Sequence, residues 1–130
     1  MPEARALIVD DIASSRLLAE KYLKLLGWQS VSVACGEEAL AAAINSNFQL
    51  VLLDISMPGL SGEETCTRLR ALPQGNELHI VAYTAHAFPE ERQRFLGCGF
   101  DDVLVKPVER ETLTALVRAA FPSTGGAGAG

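Results

Sequence analysis

The chain has 130 residues, 48% hydrophobic and 21% charged, which is the size and composition of one ordinary globular domain and excludes disorder over most of its length. Sixteen acidic against eleven basic residues give a net charge of −5, so the surface should repel nucleic-acid phosphates. With no apolar run of spanning length, no signal-like leader, and three cysteines (Cys35, Cys66, Cys98) that form no CxxC pair, we expect a soluble fragment in a reducing, cytoplasmic compartment.

Along the chain, short apolar runs alternate with stretches of helical period. Ala6 to Val9 reads as a first strand buried on both faces, as in a parallel sheet. Residues 14 to 26 place Leu18, Tyr22 and Leu25 along one helical stripe and end at Gly27, a good helix stop. Ser30 to Ala34 alternates Val31 and Val33 with Ser30 and Ser32, which predicts an edge strand with one wet face. A helix over 37–45 follows, with Leu40 and Ile44, then a strand over Leu50 to Leu53 and a helix over 62–72 with Cys66 and Leu69. Ile80 to Tyr83 is the fourth strand. Pro89 suits the first position of the next helix, and Glu90 and Glu91 suit the positive end of its dipole. Val103 to Val105 is the fifth strand, and Leu113, Leu116, Val117 and Ala120 stripe the last helix. Ser123 to Gly130 has side chains too small to pack a core, so a folded domain over 1–122 and a linker or cloning remnant over 123–130 are expected.

Five βα units in a row predict an α/β fold, a doubly wound five-stranded parallel sheet of flavodoxin-like (βα)5 type. The alternating second strand belongs at an edge, as the order 2-1-3-4-5 has it, with a ligand crevice at the carboxyl ends of strands 1 and 3. Those strand ends carry Asp10 and Asp11, Asp54, Thr84 and Ala85, and Lys106 before Pro107. Taken singly, each is a loop, cap or turn residue. Together they place a polar group at the ends of four strands on one rim. Carboxylates 4 Å apart repel by about 4 kcal/mol per pair at an effective dielectric near 20, so the cluster calls for a cation. A hard divalent ion, magnesium or manganese, suits an open carboxylate rim. With Thr84 and Lys106 opposite it, the rim has the parts of phosphoryl transfer: a nucleophilic carboxylate at Asp54, a main-chain carbonyl from the turn at Ser56 to Gly59, and an amide donor at Ala85.

The stretches "LIVDD", "LVLLDISMPGLSG", "VAYTAHA" and "GCGFDDVLVKPV", in this order over residues 5 to 121, resemble the receiver domain of two-component response regulators. The resemblance implies that Asp54 accepts a phosphoryl group from a phosphohistidine. It implies direct magnesium ligation by Asp11, Asp54 and the Ser56 carbonyl, with Asp10 acting through water. Thr84 is then the switch hydroxyl, Lys106 contacts the phosphoryl group, and the Lys106–Pro107 bond is cis. Where many members carry a Tyr or Phe that follows the switch hydroxyl, this chain has Val103. With "TAHA" and "GFDD", that looks most like the receiver module of a hybrid sensor histidine kinase, whose partner is a histidine kinase or phosphotransfer domain and whose parent is anchored in the inner membrane. A stand-alone or DNA-binding response regulator is the alternative within the family. Ser56 and His86, each two residues past a site residue, flank the approach of hydrolytic water and are expected to tune phosphoryl lifetime.

Three other readings remain. A flavodoxin-like FMN carrier would need a Ser-, Thr- and Gly-rich phosphate loop after strand 1, where this chain has Asp10 and Asp11. An aspartyl phosphatase would need an acid two residues past Asp54, where Ser56 stands. A degenerate receiver that only docks would lack one of the five rim side chains.

Overall fold

The structure, a computed structural model, describes residues 4–57, 59–85 and 87–122. The tail expected over 123–130 lies outside the described residues. In chain order the elements are β1 (Arg5–Val9), α1 (Ala13–Leu25), β2 (Gln29–Val33), α2 (Gly36–Asn45), β3 (Leu50–Asp54), α3 (Gly62–Arg70), β4 (His79–Thr84), α4 (Pro89–Gly97), β5 (Asp102–Val105) and α5 (Arg110–Ala120), with a 3-10 turn at Gly75–Glu77. The strands pair in parallel in the order β2-β1-β3-β4-β5.

Each apolar run forms its strand because both sheet faces are covered. Leu7, Val9, Val51, Leu53, Ile80, Ala82 and Val103 face one core, closed by Ala39 and Ala43 of α2, Cys66 and Leu69 of α3 and Phe95 of α4. Ala6, Ile8, Leu50, Leu52, Val81, Tyr83 and Leu104 face the other, closed by Ala19 and Leu23 of α1 and Leu113 and Val117 of α5. β3, in the middle, is buried at every residue. A buried Leu or Val contributes about 1.5–3 kcal/mol, so the central strands can hold mutually repelling groups at their ends.

The helix stops and starts follow local chemistry. Gly27 ends α1 at φ +87, a left-handed conformation that costs glycine little. At the start of α3, Ser61 accepts from the Glu64 amide at 3.1 Å while the Glu64 carboxylate accepts from the Ser61 amide at 3.2 Å, a reciprocal cap. Pro89 opens α4 as expected, and the Glu91 carboxylate accepts from the Phe88 amide at 3.2 Å.

Three expectations about faces need correction. Leu25 is 56% exposed, and α1 packs through Ala19 and Leu23 with Leu18, Tyr22 and Leu26 beside them. Two residues on from Leu23, Leu25 is turned by about 200° and points away from the sheet. Ile44 is 65% exposed because the small residues Ala39 and Ala43 bring α2 down onto the sheet. At the β2 edge Val31 is 37% exposed, while half-buried Ser32 hydrogen-bonds Glu20 of α1. The strand is at the edge as expected, but its valine face is only partly covered.

Cys66 is buried in the core and Cys35 and Cys98 are half-buried, all three as free thiols. Burial pushes the Cys66 thiol up to about 11, so it packs as a small apolar side chain.

Candidate functional site

The rim at the carboxyl ends of the strands is assembled by register. Val9 pairs with Leu53, so Asp10 follows β1 beside Asp54 at the end of β3. Asp54 pairs with Tyr83, which puts Thr84 one residue further along the neighbouring strand, and Thr84 pairs with Val105 just before Lys106. Asp10, Asp54 and Thr84 are buried, whereas Asp11, Ser56 and Ala85 are exposed.

Asp10, Asp11 and Asp54 each offer a carboxylate oxygen within 4.8 Å of the others. The Lys106 ammonium lies 2.9 Å from Asp10 Oδ2 and 3.3 Å from Asp54 Oδ2. Asp54 Oδ1 accepts from the Ser56 amide at 3.0 Å, and Asp10 Oδ1 accepts from the Ile12 amide at 2.9 Å. Asp10 Oδ2, also buried, has the ion contact with Lys106 but no well-formed hydrogen bond. The Lys106–Pro107 peptide is cis, as expected.

Burial pushes the Asp54 carboxyl up to about 6, and the Asp10 charge adds to the rise, against the opposing pull of the Ser56 amide and Lys106. For Lys106, burial alone would lower the ammonium's pKa. Its close contact with Asp10 and the charges of Asp54 and Asp10 outweigh that and hold it above the ordinary lysine value. One ammonium thus serves two carboxylates, and a third carboxylate lies alongside with no lysine of its own in the cluster.

The donor set fits a hard divalent cation. Three carboxylate oxygens this close need only small inward shifts to meet the octahedral shell of magnesium, whose bonds are about 2.1 Å. Asp10 Oδ2, buried without a well-formed hydrogen bond, is the acceptor that gains most.

The turn after Asp54 is held against the strand by Gly62. A Cβ there would meet the Asp54 carbonyl oxygen at 2.5 Å and Ile55 Cα at 2.8 Å. Only glycine lets the start of α3 lie this close to the peptide that carries Asp54.

Of the residues singled out by sequence, the structure brings the Asp10, Asp11 and Asp54 carboxylates within 4.8 Å of one another, sets Lys106 against Asp10 and Asp54 and the Ser56 amide against Asp54, and places Thr84 and Ala85 at the adjoining strand end. Val103 is buried beside Ala82 on the face shared with α4. His86 lies outside the described residues. Two contributors were not anticipated. Arg16 Nη1 donates to the Asp10 carbonyl at 2.7 Å, bracing the corner between β1 and α1. The Tyr83 ring lies 4.9 Å from Lys106 Nζ. Arg16 reads as a solvated helix residue with no motif signal, and Tyr83, although inside "VAYTAHA", reads only as the end of a buried strand.

Residues 6–118 match the family model of the response regulator receiver domain. The chain belongs to that family. Receiver domains of two-component systems act by accepting a phosphoryl group on an aspartate, which settles the general function in favour of signalling over the flavin and phosphatase readings. Among curated relatives, the sensor protein GacS of Pseudomonas syringae pv. syringae is 37% identical over 116 residues, which cover 87% of this chain and 13% of GacS. The chain therefore spans only a small part of that relative. Among solved structures, the Vibrio cholerae chemotaxis protein CheY4 superimposes with a TM-score of 0.87 at 31% identity, covering 92% of this chain and 100% of that one. The receiver domain of the sensor histidine kinase PA1611 from Pseudomonas aeruginosa PAO1, with magnesium coordinated in its active-site cleft, gives 0.84 at 29% identity, covering 94% and 100%. Among the described residues, no helix of this receiver domain is long and apolar enough to cross a membrane.

Proposed function

We propose that Asp54 is the phosphoacceptor of this receiver domain and that Asp10, Asp11, Asp54 and the Ser56 carbonyl hold the magnesium that the reaction uses. The observation that carries the reading is the convergence of three carboxylates and one half-buried lysine where β1, β3 and β5 end. A carboxylate oxygen of Asp54 forms the new P–O bond as the P–N bond of a phosphohistidine breaks, and the electron pair leaves on the imidazole nitrogen. Bound magnesium would supply charge neutralisation for the phosphoryl oxygens. Lys106, already 3.3 Å from Asp54 Oδ2, is placed to follow the charge as it moves onto the phosphoryl group. The Ala85 amide and the Thr84 hydroxyl are the donors at the neighbouring strand end. Phosphorylation adds a charge of about −1.5 to −2, and Thr84 moving toward it shifts the population of the β4–α5 face.

The partner is a histidine kinase or histidine phosphotransfer domain that docks over α1 and the loop between β5 and α5. Ile12, 50% exposed, and Leu17, 64% exposed, give the start of α1 an apolar surface next to Asp11. The likeness to GacS and PA1611 supports a hybrid sensor kinase as the parent, with the receiver on the cytoplasmic side of an anchored chain. Ser56 is exposed beside the acceptor and, with His86, is proposed to tune phosphoryl lifetime.

The test is incubation with acetyl phosphate and magnesium, followed by intact mass measurement and peptide mapping. The wild-type chain should gain a single phosphoryl group at Asp54, and Asp54→Asn should gain none. An undiminished signal in the variant overturns the assignment.

A further inference from the structure

We infer that Tyr83 is a positioning residue for phosphorylation, its buried ring holding the Lys106 ammonium against Asp10 and Asp54; the functional half of this inference rests on the reading of Asp54 as acceptor. Tyr83 is 1% exposed and packs among Leu104, Val108 and Leu113 on the α1 and α5 side of the sheet. By register it lies between Asp54 and Leu104. Its ring centroid is 4.9 Å from Lys106 Nζ, within cation–π range, on an ammonium that also sits 2.9 Å from Asp10 and 3.3 Å from Asp54.

An ammonium on a flexible four-carbon stem has no fixed direction of its own. Here the carboxylates pull it from one side and the aromatic face attracts it from another, so its position is set by three contacts instead of two. An aliphatic residue of similar bulk would fill the core without attracting the charge. The Tyr83 hydroxyl also lies beside the backbone of Val108, two residues beyond the lysine. One side chain therefore lies against both the tip of Lys106 and the segment that carries it. At the other end of that segment, the Lys106 amide donates to the Thr84 carbonyl at 2.7 Å.

The test uses the full chain with Tyr83→Leu, which removes the aromatic face, and Tyr83→Phe, which keeps it. With acetyl phosphate and magnesium, Tyr83→Leu should slow phosphorylation of Asp54 by about threefold to thirtyfold, the range of one partly desolvated cation–π contact. Tyr83→Phe should stay within about twofold of wild type. Equal rates for Tyr83→Leu and wild type, or a Tyr83→Phe rate as low as that of Tyr83→Leu, would overturn the assignment to the ring. The contact itself is tested without phosphate, by thermal unfolding of Tyr83→Leu, Lys106→Met and the double variant in chelator. The fall in unfolding temperature caused by Tyr83→Leu should be smaller when Met occupies position 106, and equal falls would mean that ring and ammonium are not coupled. If wild type takes up no phosphoryl group, the acceptor reading falls, and the unfolding cycle still decides whether the ring holds the lysine.

Discussion

Asp54→Asn should make the magnesium-free protein more stable at neutral pH. Burial lifts the Asp54 carboxyl from 3.8 to about 6. A carboxyl whose folded value lies above its unfolded one favours the native state through its bound proton. That contribution is complete below about pH 3.8 and is lost as pH rises through about 6. A rise of about two pH units at 1.36 kcal/mol each means that by pH 7.5 the ionised group costs about 3 kcal/mol. Asparagine keeps the shape and an oxygen for the Ser56 amide, and the loss of the Lys106 ion pair at 3.3 Å is already inside that figure, because the same ammonium opposes the rise. With the usual spread of such substitutions the gain should be about 1–3 kcal/mol, or about 3–12 °C for a domain of this size. Thermal unfolding by circular dichroism in EDTA, at steps from pH 4 to 8, reads it directly. The gap between variant and wild type should be near zero at pH 4, open between pH 4 and 6, and level off above pH 7. Magnesium should then stabilise wild type, by about 2.7 kcal/mol at a hundred times its dissociation constant, and the variant much less. A gap of constant size across the pH range, or a variant less stable than wild type at pH 7.5, would refute the claim that Asp54 is a strained buried charge.

Phosphorylation by acetyl phosphate at low magnesium should fall as pH drops below about 6, because a protonated Asp54 is a poor nucleophile. Raising magnesium should move that fall to lower pH, and a profile flat to pH 5 at low magnesium would contradict the raised pKa. Gly62→Ala puts a methyl group 2.5 Å from the Asp54 carbonyl oxygen. It should cost about 1–3 kcal/mol in urea unfolding and slow phosphorylation by displacing Asp54, the proposed acceptor. Arg70→Ala should cost about 2–4 kcal/mol: its guanidinium donates to the carbonyls of Gly75, Leu78 and Gly99 and to Asp101 at 2.6 to 3.0 Å, and truncation removes these bonds, leaving Gly75 and Asp101 with only the Leu78 and Ile80 amides. Leu23→Ala should cost about 2–5 kcal/mol, whereas Leu25→Ser and Ile44→Ser should each change stability by about 0.5 kcal/mol or less.

The strands and the rim were readable because both rest on signals of short range. A run such as Leu50 to Leu53 is apolar without alternation only if both faces are covered, and the strand order then decides which ends meet. Once β1 and β3 are neighbours, Asp10 and Asp54 must share an edge, whatever their side chains do in detail. The helical faces were less readable. Ranking residues by apolar size favoured Leu25 and Ile44, but a helix that lies close to a sheet presents small residues to it, and Ala19, Ala39 and Ala43 took those places. Size alone carries no information about how near the helix sits.

Arg70 and Tyr83 were unreadable for a different reason. Arg70 finds two of its acceptors at Gly99 and Asp101, about thirty residues away, and Tyr83 finds Lys106 just past the end of the next strand. No local period marks a residue whose work is done across the fold. The two lie at opposite ends of the sheet and offset opposite liabilities. Near the amino ends of β4 and β5, Arg70 supplies donors to carbonyls that would otherwise be unpaired. At the carboxyl ends the excess is of negative charge, and a core that is apolar on both faces supplies the stability that lets Asp10 and Asp54 stay buried 2.9 and 3.3 Å from a single ammonium. That residual charge makes the rim receptive to a divalent ion. A rim neutralised by a second lysine would be more stable and would hold magnesium less well, so the strain at Asp54 and the capacity to take up a phosphoryl group have one physical origin.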